Sequence, residues 1–245
     1  MENSFSLRDK GILIGLYLSK FDREAVKIFG FKGINEAFNT LGYSIGTKPA
    51  SIKNYRDEFD PLFPNLRKGR HSRPIREHCK FYFDKFSSLD FLSFTELIKS
   101  IVFENYEIEK VFIEQDKSRG VAKRLITGKA AEEYFKANYE SVENFKGFAL
   151  ADTTLYACGF DFKLSSGDSF YCVEVKGLGG RSGNVTLTEK EFFMANEYKQ
   201  QFCLFVAFNF SDKPFHTTVF DPLNSRLNFK KVEREIVQIS YSTII

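Results

Sequence analysis

Apolar residues recur at helical spacing through the first half of the chain and at strand-like alternation through much of the second. LRDKGILIGLYLSKF (7–21), REAVKIFGF (23–31), INEAFNTLGYSIG (34–46) and ASIKNYRDEF (50–59) read as helices divided by Gly and Pro. Two more amphipathic helices are expected over 74–86 and 89–103. Another is expected over TGKAAEEYFKANYESV (127–142), started by Thr127, with Glu132 and Glu133 in its first half. From about residue 148 the texture changes to short β-rich runs: GFALADTTLYA, GFDFKL, SFYCVEVKG. The helix TEKEFFMANEYKQQ comes next, then the strands FCLFVAFNF and HTTVFD. This order predicts an α/β (α+β) core with a mixed sheet, preceded by an all-helical N-terminal domain.

Three parts are expected: a helical domain over 1–75, a helical connecting region over 76–125, and the sheet-containing domain over 126–245. Within the first part, the helices flanking GTKP outline a helix-turn-helix, its second helix opening with Ser51 as cap and presenting Lys53, Asn54 and Arg56 to a DNA groove. A small helical bundle with a polar outer face has the same outline. Directly after it, LRKGRHSRPIR (66–76) carries Arg67, Lys68, Arg70, Arg73 and Arg76 with no acid. A Gly/Pro-containing loop with five cations suits phosphate contact, or serves as a solvated linker. A second basic cluster, KSRGVAKR (117–124), includes Lys123 and Arg124.

Composition adds bounds. The 245 residues supply ample core, and 43% hydrophobic with 27% charged residues is ordinary for a globular chain. A net charge of +3 is too small to imply nucleic acid without local clustering. Cys79, Cys158, Cys172 and Cys203 form no CxxC pair, which argues against a thiolate zinc cage and for a reducing cytoplasm. No signal peptide or membrane-length apolar run is visible. His71, His78 and His216 are too scattered for a relay or metal site.

The candidate chemistry lies in GFDFKLSSGDSFYCVEVKGLGG (159–180). Alternation along SFYCVEVKG puts Glu174 and Lys176 on one face, with Asp161 on the partner strand across the turn SSGD. Two carboxylates and a lysine then converge at one sheet edge, which matches the oxygen ligands of a hard divalent cation. The Val175 carbonyl is a further candidate ligand and the lysine can act on an attacking water. The other reading is an exposed Glu174–Lys176 cross-strand pair with Asp161 flanking a turn. The glycine-rich stretch GLGGRSG (177–183) is expected to be a mobile loop with Arg181 available to a DNA phosphate. Glu189 and Glu191 read as acids favoured at a helix start. Asp152 is read as a supporting residue or a turn residue.

These residues resemble the active-site signature of the PD-(D/E)XK nuclease superfamily, the fold of many restriction endonucleases. The pattern is closest to the nuclease-like domain typified by the C-terminus of NO VEIN. The matching stretches are GKAAEEYF, GFDF, VEVKG, LTEKEFFMA and CLFVAF, in that order over roughly 126–210. Phe160 stands where the superfamily's Pro would precede Asp161. The resemblance implies Asp161 and Glu174 as metal ligands, Lys176 as catalytic lysine, and Glu132 in preference to Glu133 as the helix carboxylate. It implies Mg2+, with Mn2+ as a substitute, double-stranded DNA as substrate, and a type II restriction endonuclease acting as a homodimer. The alternatives are a modification-dependent defence nuclease, a non-specific effector nuclease whose helical half binds protein, and a catalytically inactive DNA-binding regulator.

Overall fold

The computed structural model describes residues 5–65, 67, 69, 73–103, 118–233 and 243. The helix α1 (Leu7–Ile28) starts at Ser6, whose hydroxyl accepts the Asp9 N–H while the Asp9 carboxylate accepts the Ser6 N–H. Sequence spacing separated 7–21 from 23–31. The structure breaks the helix at the same place: Asp22 is non-helical, with φ 41° and ψ −109°, so α1 is two helical stretches joined across a kink. Its apolar stretch Ile12–Leu18 is wholly buried, because α3 (Pro49–Phe59) crosses it closely. At Gly15 an added Cβ would lie 2.4 Å from Tyr55 Cβ and 2.9 Å from the Arg56 nitrogen, so only glycine admits the crossing. The cap of α3 is Lys48 with Pro49 in the first turn, not Ser51, whose N–H already bonds the Lys48 carbonyl.

Between them lies α2 (Ile34–Ser44). The helices α4 (Glu77–Phe86) and α5 (Phe91–Val102) complete this half. One apolar core extends from Ile12 through Cys79, Phe94 and Ile98 to Ala122 and Ile126. The described helices of 76–125 therefore contribute to the same core as those of 1–75.

The helix α6 (Ser118–Asn138) begins nine residues before Thr127. Thr127 is an interior residue whose hydroxyl donates to the Lys123 carbonyl at 2.7 Å. Through this length α6 serves two cores. Ala122 and Ile126 belong to the helical one, whereas Ala130, Ala131, Tyr134 and Phe135 pack on the sheet. The sheet is mixed and five-stranded in the order β1 (Ala149–Asp152), β2 (Phe162–Ser166), β3 (Ser169–Gly177), β4 (Phe202–Phe208), β5 (Phe215–Phe220). Only β3 and β4 are parallel, and the crossover between them carries α7 (Glu189–Tyr198).

Alternation sorts the central strands. Phe162, Val173, Val175 and Phe205 face α6, while Cys172 and Phe202 join Ala195, Met194 and Tyr198 of α7. The helical half is fastened to this unit along α2. The Asn39 amide donates to the carbonyls of Phe210 and Asp212 at 2.8 and 2.5 Å, and Tyr43 meets the rings of Tyr134 and Phe210. Among the described residues no helix is long and apolar enough to cross a membrane.

Candidate active site

Asp161 stands one residue before β2. Its N–H bonds the Val173 carbonyl at 3.0 Å, extending the β2–β3 ladder, and its carboxylate accepts the Val175 N–H at 2.8 Å. Two residues along β3 from Val173, Val175 presents its N–H to the same edge, so its carbonyl points there too, beyond the end of β2. Glu174 and Lys176 face α7, with Lys176 Nζ 2.6 Å from Glu174 Oε1. The Glu174 side chain is only 4% exposed, which excludes the surface cross-strand pair. Glu132 enters from α6, which presses on the end of β3. An added Cβ at Gly177 would lie 2.6 Å from the Thr127 carbonyl oxygen. Glu132, Asp161, Glu174 and Lys176 thus line one cavity of about 660 Å³, whereas Glu133 turns to Lys136.

The electrostatics of this cavity are unbalanced. Burial raises the Glu174 carboxyl to about 9, with the Asp161 charge adding to it. Burial and the same neighbour raise Glu132 to about 7. Asp161 rises to about 6 through burial, which the Val175 N–H and the Lys176 charge only partly offset. Burial disfavours the Lys176 ammonium as well, but Glu174 and Glu191 outweigh it and hold its pKa above the ordinary lysine value. The cavity's four carboxyl groups outnumber the cations left to face them: Lys123, which also lines it, is paired with Glu36 outside, which leaves Lys176 and Arg124.

In the arrangement described, no group of three or more His, Cys, Asp or Glu among the described residues is set to hold a metal ion. Asp161 is engaged by Val175 and Glu174 by Lys176. The donor set nevertheless fits a hard cation. It consists of oxygen ligands only, and carboxyl groups whose pKa values burial and mutual repulsion have raised are what a divalent ion would return to the charged form. Asp161 and Glu174, with the Val175 carbonyl and Glu132 beside them, are the residues that would hold it.

Glu191 is the residue that sequence reasoning assigned elsewhere. As the third residue of α7 it closes a capping box with Thr188, and the oxygen that accepts the Thr188 N–H at 3.0 Å also accepts Lys176 Nζ at 2.8 Å. It lines the cavity, whereas Glu189 is exposed and remains a helix-start acid. Its reading as an acid favoured at a helix start carried no sign of the lysine opposite.

Several expected DNA contacts are occupied by carboxylates. Arg56 is 9% exposed and pairs with Asp22 at 2.7 Å, with Asp60 at 3.9 Å. Arg67 binds the same two acids at 3.1 and 2.9 Å. Arg73 grips Glu58 through both carboxylate oxygens, at 2.9 and 2.6 Å, and Arg76 pairs with that acid too. The segment between α3 and α4 is therefore tied at Arg67 to Asp22 of α1 and to Asp60, and at Arg73 and Arg76 to Glu58 of α3, so these arginines are not free cations in a solvated linker. Lys68, Arg70 and His71 lie outside the described residues, as do Lys117 and the Arg119 side chain. Lys123 is committed as well, 2.8 Å from buried Glu36 and donating to the Gly30 carbonyl. Lys53, Asn54, Arg124 and Arg181 are exposed, and Arg124 lines the cavity.

The glycine-rich stretch after β3 is anchored. Leu178 N–H bonds the Ala207 carbonyl, and the carbonyls of Gly179 and Gly180 accept from Ser211 and Asn209. Asp152 binds Lys136 and the Thr154 turn. His216 stacks on Phe205 and bonds Tyr134.

A family model described as "Protein NO VEIN, C-terminal" matches residues 131–220, less than half of the chain. The matched segment runs from the second half of α6 to the end of β5 and contains Glu132, Asp161, Glu174, Lys176 and Glu191. No curated protein and no solved structure matches the chain.

Proposed function

We propose that this chain is a metal-dependent deoxyribonuclease whose active site is the cavity at the end of β3. One observation carries the reading: Glu132, Asp161, Glu174 and Lys176, from three separate elements, converge in one cavity that also takes in the exposed Arg124. A structural ion pair needs one carboxylate per ammonium, and a surplus of buried carboxylates is costly unless a cation or substrate makes use of it. The family match over the segment that holds all five strands agrees with the nuclease-like hairpin motif.

The cofactor is Mg2+, with Mn2+ able to replace it. When bound it supplies charge stabilisation for the phosphate oxygens and lowers the pKa of water. Asp161 and Glu174 would hold the cation, with Val175 offering its carbonyl, and Glu132 would support the site from α6. The Lys176 ammonium donates hydrogen bonds to the attacking water or to a non-bridging phosphate oxygen, which orients the water and offsets negative charge. The water oxygen forms a bond to phosphorus, one bridging P–O bond breaks, the departing oxygen gains a proton, and the water's protons pass to solvent. Arg124 and Arg181 contact backbone phosphate, and the exposed face of α3, with Lys53 and Asn54, reads duplex DNA.

On this reading the protein is a cytoplasmic type II restriction endonuclease, and two copies, with one site each, cut the two strands. The test is incubation of wild type and Lys176→Ala with unmethylated and natively modified phage and plasmid DNA, in Mg2+ or EDTA. Discrete Mg2+-dependent fragments from unmodified DNA, lost in the variant, are expected. Cutting confined to modified DNA would reassign the protein as modification-dependent, and binding without cleavage of any substrate would refute the nuclease.

A further inference from the structure

Lys176 has two anionic partners, and they are not equivalent. Glu174, at 2.6 Å, belongs to the carboxylates that would hold a cation, so its oxygens cannot serve the lysine and the cation equally. Glu191, at 2.8 Å, comes from the opposite wall and is fixed from behind by its own helix. From this geometry we infer that Glu191 is the positioning residue for Lys176. It draws the ammonium off Glu174, leaves that carboxylate to the cation, and keeps Nζ in the cavity beside the reacting phosphate. The inference rests on the nuclease reading and deepens it.

The alternative is that Glu191 serves only as a helix cap. A cap requires one acceptor for the Thr188 N–H, and Gln supplies it as well as Glu does. The contact with Lys176 is additional, and it is the part that needs charge. The side chain is 15% exposed, while Glu189 in the same turn answers the helix dipole from the surface without approaching the lysine. Thr188 and Glu191 lie at the start of α7, on the crossover between β3 and β4. The parallel pairing of these strands therefore carries Glu191 back over the face on which Lys176 stands.

Glu191→Gln separates the two roles, since it keeps the cap and removes the charge. In the variant Glu174 is the sole carboxylate paired with Lys176, so lysine and cation compete for it. Mn2+ affinity, measured by calorimetry on the full chain without DNA, is expected to fall about 10- to 100-fold, in line with the usual effect of removing a residue that orients a ligand. Affinity should return when Lys176→Met is added, because the competing ammonium is gone. On DNA, kcat should fall by a similar factor with KM little changed. Glu191→Asp, which keeps the charge but withdraws it by one methylene, should show the same defects in milder form and serves if Glu191→Gln does not fold. A wild type that cuts DNA beside a Glu191→Gln equal to it in Mn2+ affinity and kcat overturns the inference alone. A loss of Mn2+ affinity that is equal with and without the added Lys176→Met also overturns it, since Glu191 would then act without the lysine. A wild type that neither binds Mn2+ nor cuts overturns the nuclease reading together with the inference.

Discussion

Glu174→Gln is expected to stabilise the metal-free protein and at the same time to abolish its response to Mg2+. The glutamate is 4% exposed, and burial followed by the Asp161 charge raises its carboxyl from 4.5 to about 9. A carboxyl raised on folding contributes stability that is complete below the unfolded pKa and is lost as pH rises towards the folded one. At pH 7 about 2.5 pH units of that window have been crossed, which sets a ceiling of about 3 kcal/mol on the loss. Glutamine has no proton to lose, and Lys176 retains Glu191, so the variant escapes the penalty without stranding the ammonium. For a chain of this size each kcal/mol moves Tm by about 2–4 °C, so the ceiling corresponds to a rise of roughly 6–12 °C in EDTA. Saturating Mg2+ should narrow the gap. At ten times Kd it adds about 1.4 kcal/mol to the wild type, or about 3–6 °C, and nothing to the variant. Thermal melting of both proteins in EDTA and in Mg2+ at pH 7 reads all four values. A variant that melts below wild type in EDTA, or that shows the full Mg2+ shift, would refute the argument that Glu174 is a strained carboxyl kept for a cation.

Proton competition gives a related expectation. Asp161, Glu132 and Glu174 titrate near 6, 7 and 9, so cation binding must release protons through this window. The Mg2+-induced Tm shift should grow from pH 6 to pH 9, and a flat profile would count against these ligands. Gly177→Ala drives a methyl group towards the Thr127 carbonyl at 2.6 Å and should cost about 1–3 kcal/mol, read by urea unfolding, because α6 and β3 cannot both stay in place. Lys123→Met leaves Glu36, 1% exposed, without its ion-pair partner and should destabilise by about 3 kcal/mol. Weaker DNA binding with unchanged stability would instead make Lys123 a phosphate contact. Arg124→Ala, at an exposed cavity residue, should weaken DNA binding and lower its salt dependence while leaving Tm unchanged.

Periodicity alone determined the face on which Glu174 and Lys176 lie, since a side chain's face along a strand depends only on its own position. Pairing across the SSGD turn placed Asp161 beside them for the same local reason. The helix-rich first half and the mixed sheet of the second were equally legible, because Gly, Pro and apolar spacing act within a few residues of where they stand. What faces each side chain was decided only by tertiary structure. Arg56 and Arg67 meet Asp22 and Asp60, Arg73 meets Glu58, and Lys123 meets Glu36 from another helix. A run of cations therefore read as free is largely neutralised by acids that lie elsewhere in the chain. Glu191, read as a helix-start acid, is also the partner of Lys176, because the β3–β4 crossover folds it back over the strand. The raised carboxyl pKa values have the same origin. Desolvation and mutual repulsion depend on how α6 and α7 close over the sheet edge, and that arrangement is a property of the packed chain and not of any segment in it.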